Sequence, residues 1–180
     1  MLIDAERSAL LVIDLQTKMV PALAGHEEVV ANVVWLIRIA QKIGVPVAAT
    51  EQYPKGLGPL VPKVRKLIPS TAIAAKNHFS AVAAKILTGL PGQDRAQVVV
   101  VGAEAHVCLL QTSLELLEDG KEVYVVADAI ASRHPEDRDV ALTRMRDEGI
   151  RVVTREMVVF EWLGEAATPL FREINQEFFK

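Results

Sequence analysis

The chain has one cysteine in 180 residues, Cys108, so no internal disulfide can close and stability does not depend on an oxidising compartment. It has no run of basic residues longer than a scattered pair, and its net charge is −3 with a pI near 5.8. A nucleic-acid partner is therefore not expected. No apolar stretch reaches the roughly 18 residues of a membrane span, so no membrane partner is expected either. The opening MLIDAERSALLVID carries charges before and inside its apolar run and no small-residue cleavage site. It reads as a strand and not as a secretion signal, and the expected address is the cytosol. No GxGxxG or GxxxxGK[ST] follows any strand, which removes the phosphate cradles of dinucleotide and nucleoside triphosphate sites, and no GxSxG marks a serine nucleophile. Repeats, low-complexity tracts and linkers are missing too, so residues 1–180 read as one domain. Hydrophobic residues make up 51%, enough to suggest that some apolar surface covers a subunit interface in a homo-oligomer.

What is present alternates between two periods. Residues 8–15, SALLVIDL, form a continuous apolar run closing on Asp14, as a central parallel strand does. An amphipathic helix follows over 27–43, ended by Gly44, and a second strand over 45–50. Residues 51–62, EQYPKGLGPLVP, carry three prolines and two glycines and read as a shaped surface loop, with Tyr53 and Lys55 as rim contacts. A weak third strand over 71–76 ends on Lys76, and a helix is expected from about Ser80. The four valines at 98–101 predict a strand buried on both faces. They lead through Gly102 into a helix over 106–118, a fifth strand over 122–127, a helix over 135–149 and a sixth strand over 150–154. One or two terminal helices place Phe160, Trp162, Phe171 and Phe178 against the sheet or another subunit. The expected class is α/β, a three-layer sandwich around a mainly parallel six-stranded sheet.

Asp14, Lys76 and Cys108 each stand at or just past the carboxyl end of a predicted strand, which puts all three on one rim of the sheet. An acid, a cation and a thiol together equip a site for nucleophilic attack on a carbonyl or nitrile carbon. Cys108 alone reads as readily as a small core residue. Moving a proton from an ordinary cysteine to an ordinary aspartate is uphill by roughly 6 kcal/mol. A lysine about 4 Å from the sulfur, at an effective dielectric near 20, is worth roughly 4 kcal/mol, and a helix N-terminus adds in the same direction, so a lowered thiol pKa is expected.

The segments VIDLQ around Asp14, KNHFSAV around Lys76 and VVVVGAEAHVCLLQTSLELLEDGKEVYVVADAIASR around Cys108 resemble the isochorismatase-like cysteine hydrolases, over nearly the whole chain. TEQYPKGLGPLVP, GAEAHVCLLQT and LGEAATPLFREI are most similar to the isochorismatase domain-containing branch. The resemblance implies the isochorismatase-like hydrolase fold and a catalytic triad of Asp14, Lys76 and Cys108. It implies a nonproline cis peptide between Ala103 and Glu104, with the Glu104 and Cys108 N–H groups as an oxyanion hole, and assembly as a dimer, tetramer or octamer. Nicotinamidases of the family bind a metal through Asp and His after the second strand. Here that region holds neither, so no metal and no cofactor are expected. Isochorismate-cleaving members lack a cysteine nucleophile, which sets this chain apart from them.

Around the triad, Gln16 is placed to orient Lys76 or substrate. His78 and Phe79 line the pocket or simply pack, and His106 touches substrate or caps its helix. His26, His134 and Asp128 read as capping residues. The leading expectation is a cysteine amidohydrolase that cleaves a C–N bond in a small-molecule, amide-like substrate. The alternative is an oligomeric binding or scaffold protein with the hydrolase fold and little turnover.

Overall fold

In the computed structural model, which describes residues 1–179, six strands form β1 (Ser8–Ile13), β2 (Val47–Gln52), β3 (Ile73–Lys76), β4 (Gln97–Ala103), β5 (Glu122–Ala131) and β6 (Arg151–Val153). They pair in the order β3-β2-β1-β4-β5-β6, every pair parallel. Every residue of β1 and β4 is buried, because helices cover both faces of the sheet. On one face lie α1 (His26–Ile43), α6 (Arg155–Leu163) and α7 (Pro169–Phe178), and on the other α4 (Cys108–Glu118) and α5 (Pro135–Asp147). The three-layer sandwich is as expected.

The chain steps outward from β1 to β3, then returns to lay β4 on the other side of β1. Strand order therefore reverses between β1 and β4, and the crevice at their carboxyl ends is where such sheets hold their ligands. Gly102 lets the two strands meet there. Its φ is 115°, and a Cβ added to it would lie 2.1 Å from the Ile13 carbonyl oxygen. At the other end of the chain, Trp162 is buried and donates from Nε1 to Ser8 Oγ, while the Phe178 ring stands edge-on to Trp35 of α1.

Three expectations need correction. No helix follows Ser80: residues 77–96 cross from β3 to β4 as successive turns. Ser80 Oγ does accept from the Val82 and Ala83 N–H groups, as a cap would. However, Glu115 also takes the Ala83 N–H and Thr112 the Ala81 N–H, so side chains of α4 stand in for helical acceptors before Gly89, Pro91 and Gly92 end the segment. β2 runs to Gln52, two residues into the expected loop, whose remainder holds one short turn of helix, α2 (Pro54–Leu57), and leads into a second, α3 (Pro62–Arg65). Neither His26 nor His134 caps by its side chain, since Gly25 is the N-cap of α1 and His134 makes no cap bond. Asp128 does cap, by accepting the Arg155 N–H at the start of α6.

Candidate active site

Asp14 follows β1 with φ 47°, a left-handed turn that swings the chain away while its carboxylate stays under the strand ends. Thr50 Oγ1 donates to Asp14 Oδ1 at 2.6 Å, and Lys76 Nζ donates to Oδ2 at 2.7 Å. Both members of this ion pair are fully buried. Isolated burial of either charge would be prohibitive, and the pair is tolerable because further hydrogen bonds complete it. Lys76 Nζ also reaches Gln52 Oε1 at 2.6 Å, the Phe79 carbonyl at 2.8 Å and the His78 carbonyl at 3.3 Å.

Cys108 is the first residue of α4 and is 6% exposed. Its Sγ lies 3.9 Å from Gln52 Oε1, the oxygen that also holds the lysine. Asp14, Lys76 and Cys108 thus converge, with Gln52 between the last two. Burial pushes the Cys108 thiol up to about 12, helped by the charge of Asp14, and Lys76 offsets only some of this. The expected lowering of this pKa is therefore reversed, because desolvation and the carboxylate together outweigh the ammonium.

The Ala103–Glu104 peptide is cis. Among the described residues, the Glu104 N–H donates to no backbone carbonyl, and the Cys108 N–H, at the first position of its helix, has no intrahelical acceptor. Neither N–H is taken by another group of the chain among the described residues. The Glu104 carboxylate turns outward to Arg133 at 2.8 Å.

The remaining sequence-named residues divide. Gln16 is buried and touches neither Lys76 nor Cys108; its Nε2 donates to the Gln52 and Gly58 carbonyls, and its Oε1 accepts the Gln52 N–H. Gln52 is thus the link between Gln16 and the lysine. Tyr53 is 54% exposed with φ 37°, and its backbone N–H donates to the Lys76 carbonyl. Phe79 reaches the site through its carbonyl while its ring is half exposed. His106 has Nδ1 2.9 Å from Ser132 Oγ and Nε2 3.8 Å from Asp137 Oδ2. Gln52 and Thr50 went unnamed in the sequence; Thr50 closed the expected second strand, the signal that marked Asp14, whereas Gln52 fell inside the expected loop. Among the described residues, no group of three or more His, Cys, Asp or Glu side chains is arranged to hold a metal ion.

Comparison with known proteins places this geometry in a family context. The model of the isochorismatase domain matches residues 8–157. Isochorismatase domain-containing protein 2 of Danio rerio is 37% identical over 177 residues, covering 97% of this chain and 88% of that protein. MAR1 ribonuclease from Caenorhabditis elegans superposes with a TM-score of 0.89 at 35% identity, covering 100% of this chain and 93% of that one. YcaC from Escherichia coli, described as an octameric hydrolase of unknown specificity, superposes with a TM-score of 0.90 at 22% identity, covering 98% and 90%.

Proposed function

The chain belongs to the isochorismatase family, and from that premise we propose that it hydrolyses a C–N bond in a small amide-like substrate through an acyl-enzyme on Cys108. The observation that carries this reading is the buried contact of Lys76 with both the Asp14 carboxylate and the Gln52 carbonyl, beside the thiol at the head of α4. Such an array is costly to bury and has no structural need to sit at the strand-order reversal.

The raised pKa of the thiol shapes the mechanism. A free thiolate does not accumulate in the resting site. Instead Asp14 takes the thiol proton as the S–C bond forms, and Lys76 offsets the negative charge passing from carboxylate to sulfur. The Glu104 and Cys108 N–H groups receive the developing oxyanion. Asp14 then gives its proton to the nitrogen, the C–N bond breaks and ammonia or an amine leaves. Water, deprotonated by Asp14, next attacks the thioester, the C–S bond breaks, and the sulfur recovers its proton from Asp14. No cofactor enters this scheme, and a homo-oligomer is the form in which we propose it operates.

The deciding experiment is a panel of primary amides, ureas and nitriles assayed for ammonia release. We expect turnover on at least one member, a loss of about 10³-fold or more in Cys108→Ala, and an acyl adduct on the cysteine by intact mass. A short single-stranded RNA belongs in the panel because of the nematode neighbour's name. It should stay intact, given the net charge of −3 and the lack of a basic track. Silence across the panel with no adduct would leave the binding or scaffold role.

A further inference from the structure

The turns that replace the expected helix leave the amino-terminal half of the sheet under a loop. Between them lies a hollow of about 480 Å³, within the range of small-molecule sites. Its floor is set low by Ala9 and Ala48, beside Leu11 and Val98. Its roof is Val82, Leu87 and Leu90, with Leu116 of α4 as a side wall. The hollow is separate from the triad, none of whose residues line it: Leu11, its lining residue nearest Asp14 along β1, is three residues upstream, about 10 Å along a strand.

The roof is tied down at both ends. Ser80 Oγ donates to Glu115 at 2.6 Å and Thr112 Oγ1 accepts the Ala81 N–H, while Lys121 Nζ donates to the Gln93 and Arg95 carbonyls at 2.9 and 2.7 Å. A cavity whose cover is fastened on two sides is preformed and does not need a ligand to open it. Its mouth carries Lys85, Lys121 and Asp119. No salt bridge among the described residues engages either lysine, so the mouth is net positive above an apolar interior. Lys85 is exposed and held at φ 57°, a conformation rare outside glycine that bends the roof at the rim.

We propose that this hollow is a binding site for a small organic acid with an apolar ring or chain. The body of the ligand lies over Ala48, under Val82 and Leu90, and its anionic group meets Lys85 at the mouth. Ala48 leaves room where a larger residue of the same strand would close the floor. The site stands independently of the hydrolase reading.

The test is a fluorescence titration with 1-anilinonaphthalene-8-sulfonate, which combines fused rings with one negative charge. Saturable one-to-one binding is expected, displaced by octanoate and several-fold less well by octanol. Ala48→Leu, which fills the floor, should weaken dye binding at least tenfold without lowering the thermal midpoint. Lys85→Gln should weaken octanoate several-fold and leave octanol unchanged. Should Ala48→Leu not fold, Val82→Trp fills the same space from the roof. Cys108→Ala should bind the dye as the parent does. Undiminished binding in the filled variants would overturn the proposal. So would loss of binding in Phe160→Ser, which would place the dye on the exposed aromatic face of α6, or in Cys108→Ala, which would place it at the triad.

Discussion

Gln52 Oε1 stands 2.6 Å from Lys76 Nζ and 3.9 Å from Cys108 Sγ, so one carbonyl fixes the ammonium and presents its negative end to the thiol. The first contact favours a well-placed lysine. The second is long; what holds the thiol near 12 is burial first and the Asp14 charge next, with Lys76 opposing both. Because an acid with a raised pKa keeps its proton longer, alkylation of Cys108 by iodoacetamide should be slow at pH 8 and still climbing past pH 10, where an ordinary thiol has levelled off. Gln52→Leu removes the carbonyl and frees an ammonium proton for the sulfur. The alkylation profile should move to lower pH, and the rate at pH 8 should rise in proportion to the thiolate fraction, about tenfold if the midpoint falls from 12 to 11. Hydrolysis should fall at the same time, because Lys76 loses an anchor. Mass-spectrometric alkylation rates across pH check this, and a superimposable profile would remove Gln52 from the chemistry. Asp14 and Lys76 were readable because each stands at the end of a predicted strand, and Cys108 because it stands where a strand gives way to a helix. Gln52 was not, because Pro and Gly downstream made its segment read as loop, and because the pairing that extends β2 through it is with Lys76 of β3, 24 residues away.

Elements meet at the site because β1 and β4 approach closely at their carboxyl ends, and Gly102 is the residue that permits it. Gly102 and Gly120 both have φ in the left-handed region, 115° and 83°, but nothing lies within 4 Å of a Cβ at Gly120, whereas one at Gly102 would overlap the Ile13 carbonyl. Gly120→Ala should therefore cost only the backbone strain, about 1 kcal/mol. Gly102→Ala must also push β1 and β4 away from each other, and should cost about 3 kcal/mol or more and displace Asp14 from Lys76. Urea denaturation midpoints of the two variants separate the effects; equal losses would mean that the close approach carries no weight. Alternation of apolar runs with helical periods made the six strands and the flanking helices legible. The crossover between β3 and β4 was not, because what replaces its helix is a set of bonds to Thr112 and Glu115, whose nearness depends on the finished fold.

On the scale of the whole molecule, α6 presents apolar side chains to solvent in the single chain. Phe160 and Met157 on α6 are each 46% exposed, and Phe160 lies against Phe171 at 6.4 Å and Phe179 at 5.2 Å between ring centroids. A lone exposed aromatic is ordinary, but a ring that extends a cluster to the surface has the composition of an interface core. Charge does not oppose self-association, since a net −3 spread over 8588 Å² is weak repulsion at physiological salt. Sedimentation equilibrium at micromolar concentration is expected to return a mass that is a multiple of 19.7 kDa. The double substitution Met157→Glu with Phe160→Glu places two carboxylates where apolar side chains would be desolvated, so it should lower that mass while far-ultraviolet circular dichroism stays unchanged. A parent chain that sediments as a monomer would leave the cluster as no more than the outer edge of the packing between α1, α6 and α7. An oligomer that survives both glutamates would move the interface to another face.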